Sequence, residues 1–385
     1  MRAFAELRDV GPRRVLLASV TPLASIFGSG FLIIVPVLER ALGGLAVLGA
    51  VGVSAVAWTV GSAIRHNIQV VEPLAAKGAL DRTNQRLEEI SDVVIAVAYV
   101  ISVALYLRIM AEYVVGHLAP GADAATSALA AAAVALIVLV GLTRGFAGLD
   151  LMERLALGAV LVLTTVLGAA YLFDSGGRLL GDGIAIPPVP DAGIGHTLLV
   201  LGGIVIAVQG FETVRYLGDE YDAPTRIWAS RVAQAIAASI YVGFVVVVTP
   251  LMGIGTPAGA DSTLLDITER VAPLLSVPLV VCAVLSQFSA ATADTVAARE
   301  NLHAEFPRLM RGGRAYVLSG IAAIAMIWTI PTLTIVTVAS RAFAAYYCLQ
   351  CVLAVRTARS TRSRAGFGAL AAMLAVIALL AQPVG

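Results

Sequence analysis

The chain has 385 residues, 59% of them hydrophobic and 13% charged, with a mean hydropathy of +0.91. Soluble domains carry roughly a quarter charged residues because their surface must stay hydrated, so this composition excludes a water-soluble fold and describes an all-α polytopic membrane protein. A formal net charge of +1 without a long basic run excludes a nucleic-acid partner.

At about 20 apolar residues per crossing, the length accommodates roughly ten to twelve helices in one membrane-embedded domain over residues 1–385. The N-terminal stretch, Met1 to Arg14, is charged and leads into an apolar run too long for a signal h-region, so it opens a first span. Long apolar runs predict spans near 14–38, 41–63, 89–115, 126–142, 150–173, 195–217, 228–252, 274–298, 314–330, 332–356 and 366–382, about eleven in all. One set of alternate loops holds Arg2, Arg8, Arg13 and Arg14, then Arg65, Lys77, Arg82 and Arg86, then Arg144 and Arg154, and so on through Arg364. The other set holds Arg40, Arg178 and Arg270. Because Lys and Arg resist translocation, the N-terminus is expected in the cytoplasm and, with an odd span count, the C-terminus outside. Between the spans, Ile64 to Glu89 is polar and amphipathic and predicts a surface helix or a plain connector. Asp261-Ser262-Thr263 ahead of Leu264, Leu265, Ile267 and Val271 predicts a short helix in an external loop. Cys282, Cys348 and Cys351 all fall in apolar stretches and point to helix packing rather than to a disulfide or metal framework.

The first span is interrupted by Phe27-Gly28-Ser29-Gly30-Phe31 and the sixth by Val208-Gln209-Gly210-Phe211-Glu212. Glycine inside a helix costs about 0.5–1 kcal/mol relative to alanine, and a carboxylate at membrane depth about 2.5–3.5 kcal/mol. Breaks in corresponding helices of two halves are the mark of an inverted repeat, here approximately 14–173 and 195–356 with an extra helix near 366–382. Unwound backbone at the midplane supplies free amides and carbonyls to a buried solute site. Amides at Gly28, Ser29, Gly30 and Phe31 would face an anionic group, with Ile26 beside them; carbonyls near Val208, Gln209, Gly210 and Phe211 would face an ammonium. A Gly-x-Gly that only lets helices approach closely is the alternative.

Gly28-Ser29-Gly30-Phe31 resembles the first-helix motif of the amino acid–polyamine–organocation (APC) superfamily. Gly210-Phe211-Glu212, followed by Gly218-Asp219-Glu220 and Ala223-Pro224-Thr225-Arg226, is similar to that family's sixth helix. Ser286 to Arg299 with Phe306-Pro307 resembles its eighth. The resemblance implies a leucine-transporter-type fold with a 5+5 inverted repeat and broken helices one and six. It also implies alternating access and a small amine-bearing solute such as an amino acid. The sequence departs from the family at Ile206, Ala207 and Val208, where an aromatic is often found before Gly-Phe-Glu, and span five lacks the lysine some sodium-independent members keep.

Glu212 lies near the middle of span six and is the first candidate for proton coupling or for pairing a substrate ammonium. Asp294 lies in the inner third of span eight. Arg341, well inside span ten, calls for a carboxylate partner among Glu212, Glu112 and Asp294, as a gating or a static pair. Tyr99, Tyr106 and Tyr113 recur every seven residues on one face of span three, with Arg108 and Glu112 opposite, which places span three inside the bundle. Tyr106 is a candidate wall of the solute site. Ser286, Ser289 and Thr292 form a hydroxyl stripe; Ser286 and Ser289 offer a sodium site of the kind the resemblance implies, and bonding to carbonyls one turn back is the alternative. No zinc, nucleophile-elbow or paired-aspartate motif marks an enzyme. The sequence therefore reads as a cytoplasmic-membrane secondary transporter of an amino acid or related amine, with its solute and membrane lipid as partners and no nucleic acid, needing no cofactor, and coupled to H⁺ or operating by exchange. A sodium symporter of a small organic solute and, from another class, an ion channel are the alternatives.

Overall fold

The computed structural model describes residues 10–145, 149–180, 186–191, 193–254 and 263–383. Among these residues every regular element is helical, as expected where hydrocarbon leaves backbone groups no partner but their own chain. Pro12 sits in the first turn of α1 (Pro12–Ala18), where a missing N–H is harmless; α2 (Val20–Leu42) follows. The next helices are α3 (Ala46–Ala76), α4 (Arg82–Leu118), α5 (Asp123–Thr143) and α6 (Leu149–Leu180). After α7 (Ile194–Gly202) the chain tightens into two 3₁₀ segments, Val205–Val208 and Phe211–Leu217, separated by Gln209 and Gly210. Then come α8 (Ala223–Val248), α9 (Thr263–Val271), α10 (Ser276–Glu305), α11 (Arg314–Thr329), α12 (Thr332–Thr357) and α13 (Thr361–Leu380).

Eight helical stretches among the described residues are long and apolar enough to cross a membrane. Helix also fills the predicted spans that fall outside that set: α2 and α3 run together through a 3₁₀ turn, span six is broken into short pieces, and α11 has 16 residues. The large apolar side chains Leu48, Val162, Leu172 and Ile321 stay exposed on the outer surface, the pattern of a surface that meets lipid tails rather than water. α4 lies at the centre, packed most extensively against α10 and α12, while α3 packs on α8. Tyr99, Tyr106 and Tyr113 are each 1% exposed, so the predicted position of this helix inside the bundle holds.

Three expectations are corrected. Residues 64–89 form neither a separate surface helix nor a plain connector: α3 continues to Ala76 and α4 starts at Arg82, with the Asp81 carboxylate capping the new helix by accepting from the Asn84 amide at 2.7 Å. The first span is not broken, because α2 is helical from Val20 through Gly28–Phe31 to Leu42. Arg341 does not pair with Glu212, Glu112 or Asp294. Its guanidinium reaches the Ala378 carbonyl (2.8 Å) and that of Leu379, the last carbonyls of α13, which lack helical partners and carry the negative end of the helix dipole. Asp261 and Ser262 lie outside the described residues, but the helix predicted after them is present as α9, with Leu264, Leu265 and Ile267 buried.

Candidate functional site

The break in span six is built by one residue. Gly210 has φ 119°, a left-handed conformation that any Cβ would strain, and a Cβ there would also lie 2.7 Å from the Ile26 amide nitrogen of α2. The freed Gly210 N–H donates to Glu212 Oε2 at 2.9 Å, and the Tyr347 hydroxyl of α12 donates to the same oxygen at 2.7 Å. Glu212 is 1% exposed, and its Oε1 has no hydrogen-bond partner among the described residues. No cation pairs with Glu212 among those residues. Phe211 stacks on Tyr347, ring centroids 5.2 Å apart and planes at 15°. Gln209 Nε2 donates to the Tyr106 hydroxyl at 2.8 Å, tying the break to α4.

Against this broken segment, α2 presents a continuous helix whose glycines serve contact. A Cβ on Gly30 would fall 1.7 Å from the Ala207 carbonyl oxygen, and one on Gly28 would fall 2.8 Å from Ala290 Cβ of α10. Three α2 carbonyls accept from side chains of neighbouring helices: Ile26 from Tyr241 (2.7 Å), Gly28 from Gln287 Nε2 (2.6 Å) and Leu32 from Tyr113 (3.3 Å). The expected cradle of free amides at Gly28, Ser29, Gly30 and Phe31 is therefore absent in this conformation: those amides lie within the α-helix, and tight approach is what the glycines supply. Ile26, Phe31, Tyr106, Val208, Gln209 and Phe211 are all buried here.

Beside this contact a cavity of about 400 Å³ opens between α2, α4, α6, the second 3₁₀ segment of span six and α10. Of the sequence-predicted residues, Gly28, Ser286, Ser289 and Asp294 line it, and Ser25, Tyr99, Thr213 and Tyr216 add polar groups. Its wall carries four carboxylates, Glu153, Glu220, Asp294 and Glu300, and among the described lining residues no lysine or arginine. Asp294 is 6% exposed and accepts a hydrogen bond from Ser102 of α4. Glu153 and Glu300 escaped the sequence reading, and Glu220 entered it only as part of the sixth-helix motif, because each looks like an ordinary polar residue at a span end; that all three fall at ends on the arginine-rich side was the available signal.

Arg108 and Glu112 lie away from the cavity. They pair at 3.3 Å, with Arg108 also donating to Ser127 and to the Ile327 carbonyl, both at 2.8 Å, and Glu112 accepting from Thr332, so the two join α4 to α5, α11 and α12. On the arginine-rich side, Arg226 binds Glu72 through both terminal nitrogens at 2.6 and 3.2 Å. Arg215 of the broken segment meets Glu88 of α4 at 2.7 Å.

The family model described as APC superfamily transporter matches residues 8–381. The chain belongs to the APC superfamily of transporters. It is also similar to an uncharacterized protein of Aquifex aeolicus (strain VF5), 32% identical over 316 residues that cover 81% of this chain and 76% of the relative. A helical membrane domain with a buried break in one helix and an acid-lined cavity beside it accords with that membership.

Proposed function

We propose that this APC superfamily member is a secondary active transporter that carries a small cationic amine, such as a basic amino acid, across the cytoplasmic membrane by alternating access. The observation that carries the reading is the cavity wall of four carboxylates, Glu153, Glu220, Asp294 and Glu300. In a water-lined pocket bounded by low-dielectric helices, such a wall concentrates cations and repels anions. The hydroxyls of Ser25, Ser286 and Ser289 give an ammonium further acceptors. Placing the arginine-rich loops in the cytoplasm makes the described conformation inward-facing, with the C-terminus outside. The 5+5 inverted repeat of residues 14–173 and 195–356 supplies the two halves that exchange access.

Glu212 is the proton-responsive group in this reading. Its charge has no counter-ion among the described residues, and its one bonded oxygen is held by the Gly210 amide of the break itself. Adding a proton weakens the Gly210 and Tyr347 bonds to that oxygen, loosens the bend, and lets the segment that closes the cavity rearrange. Asp294, at the cavity wall and bonded to Ser102, is the group that meets the incoming ammonium.

The test is uptake into proteoliposomes from a labelled panel of basic, neutral and acidic amino acids and simple diamines, with proton and sodium gradients imposed separately. Proton-driven accumulation of the basic compounds, and its loss in Glu212→Gln and Asp294→Asn, is the expected result. Preference for acidic solutes, accumulation indifferent to pH, or unitary currents in planar bilayers would overturn it.

A further inference from the structure

We propose that Gln287 excludes sodium from this transporter: its side-chain amide occupies, as a built-in hydrogen-bond donor, the oxygen cluster between α2 and α10 that a coupling cation would need. The inference rests on the transport reading above and adds the choice of ion.

Gln287 is fully buried, at 0% exposure, where α10 crosses α2. Its Nε2 lies 2.6 Å from the Gly28 carbonyl oxygen and 3.4 Å from Ser286 Oγ, and the Ser286 hydroxyl lies 3.3 Å from the Ala283 carbonyl one turn back. Gly28, Ser286 and Ser289 belong to the cavity wall, so this is where solute-side water meets the first oxygens of both helices. A hard cation binds only by collecting several such oxygens. Here the Gly28 lone pair already faces an N–H, whose positive end repels a cation offered the same carbonyl.

The amide's orientation is fixed by chemistry: turned over, its oxygen would face the Gly28 carbonyl, acceptor against acceptor. The contact also leaves little room for an ion, since a single Cβ added at Gly28 would already stand 2.8 Å from Ala290 Cβ. Gln287 Oε1 has no partner among the described residues. A buried acceptor left unpaired keeps its full desolvation cost, which a methionine or leucine of similar size would avoid. The donor end is therefore what this position uses.

The experiment compares the purified full-length protein in NaCl and in KCl, reading thermal unfolding without solute and then solute uptake in proteoliposomes. The wild type is expected to give the same Tm and the same uptake in both salts. In Gln287→Glu the donor becomes an acceptor of equal shape, so sodium should raise Tm by roughly 2 °C or more, through preferential binding to the folded state, and raise uptake several-fold. Gln287→Ser, which removes the amide donor without adding charge and leaves a short hydroxyl free to turn a lone pair towards an ion, should show the same trend and serves if the carboxylate prevents folding. A wild type stabilised or stimulated by sodium, or a folded Gln287→Glu or Gln287→Ser indifferent to it, overturns the proposal. Because the unfolding measurement needs no solute, it decides the role of Gln287 even if the amine panel fails, which would instead strike at the transport reading.

Discussion

Two glycines set the geometry at the centre of the molecule, and they do so differently. Gly210 is chosen for its backbone conformation, whereas Gly30 is chosen for the absence of a side chain against the Ala207 carbonyl. Gly30→Ala should therefore push α2 and the broken segment apart, costing about 1–3 kcal/mol or more as overpacking does. The expected outcome is a lowered Tm and abolished uptake. Gly52→Ala on α3, where an added Cβ meets nothing within 4 Å, should leave uptake unchanged and Tm unchanged or slightly raised by the better helix propensity of alanine, and is the matched control. Glu212 was legible in the sequence because a carboxylate at that depth has no cheap explanation. The reading of Gly28 to Phe31 as an amide cradle went astray because close approach and unwinding draw on the same residue, and only coordinates separate them. Gln287 was invisible for another reason: a neutral amide in a span is polar but uncharged, and its meaning comes entirely from the carbonyl it touches.

At the scale of elements, long apolar runs located the helices, while the ends obeyed signals that polarity hides. The stretch from Ile64 to Glu89 carries six charged residues between His66 and Glu89, Glu72, Lys77, Asp81, Arg82, Arg86 and Glu88 aside from Glu89 itself. They read as loop, yet they decorate two helix ends that pair with other helices. Glu72 near the end of α3 holds Arg226 at the start of α8, and Asp81 caps α4 while touching Arg356 of α12 at 3.4 Å. Arg226 is 7% exposed on its side chain, so removing its partner strands a largely buried cation. Glu72→Gln is expected to destabilise the protein by roughly 1–3 kcal/mol, between the values for exposed and buried pairs. Thermal unfolding at low and high salt checks it; the loss should persist at high salt, because a buried pair is screened little.

For the molecule as a whole, the cavity reaches from Gly28 of α2 and Thr213 of the second 3₁₀ segment to the side of the arginine-rich loops, past Glu153, Glu220 and Glu300. A cysteine at Ala293, on the cavity wall, introduced after replacing the three native cysteines, should react with a membrane-impermeant thiol reagent from that side and not from the other. Solute should protect it, and labelling from the opposite face alone would reverse the assigned orientation. The arginine asymmetry is the sequence feature from which this expected sidedness is taken. The cavity's acidity was not legible in the sequence, because it arises only when the ends of α6, α10 and the broken segment converge. Glu212 pins the bend by accepting from the amide of Gly210, two residues before it in the chain. If it is the proton-responsive group, as proposed above, sensor and joint are a single part, with no lever arm between them to slacken, and a chemical event at one carboxyl oxygen is a mechanical event on arrival.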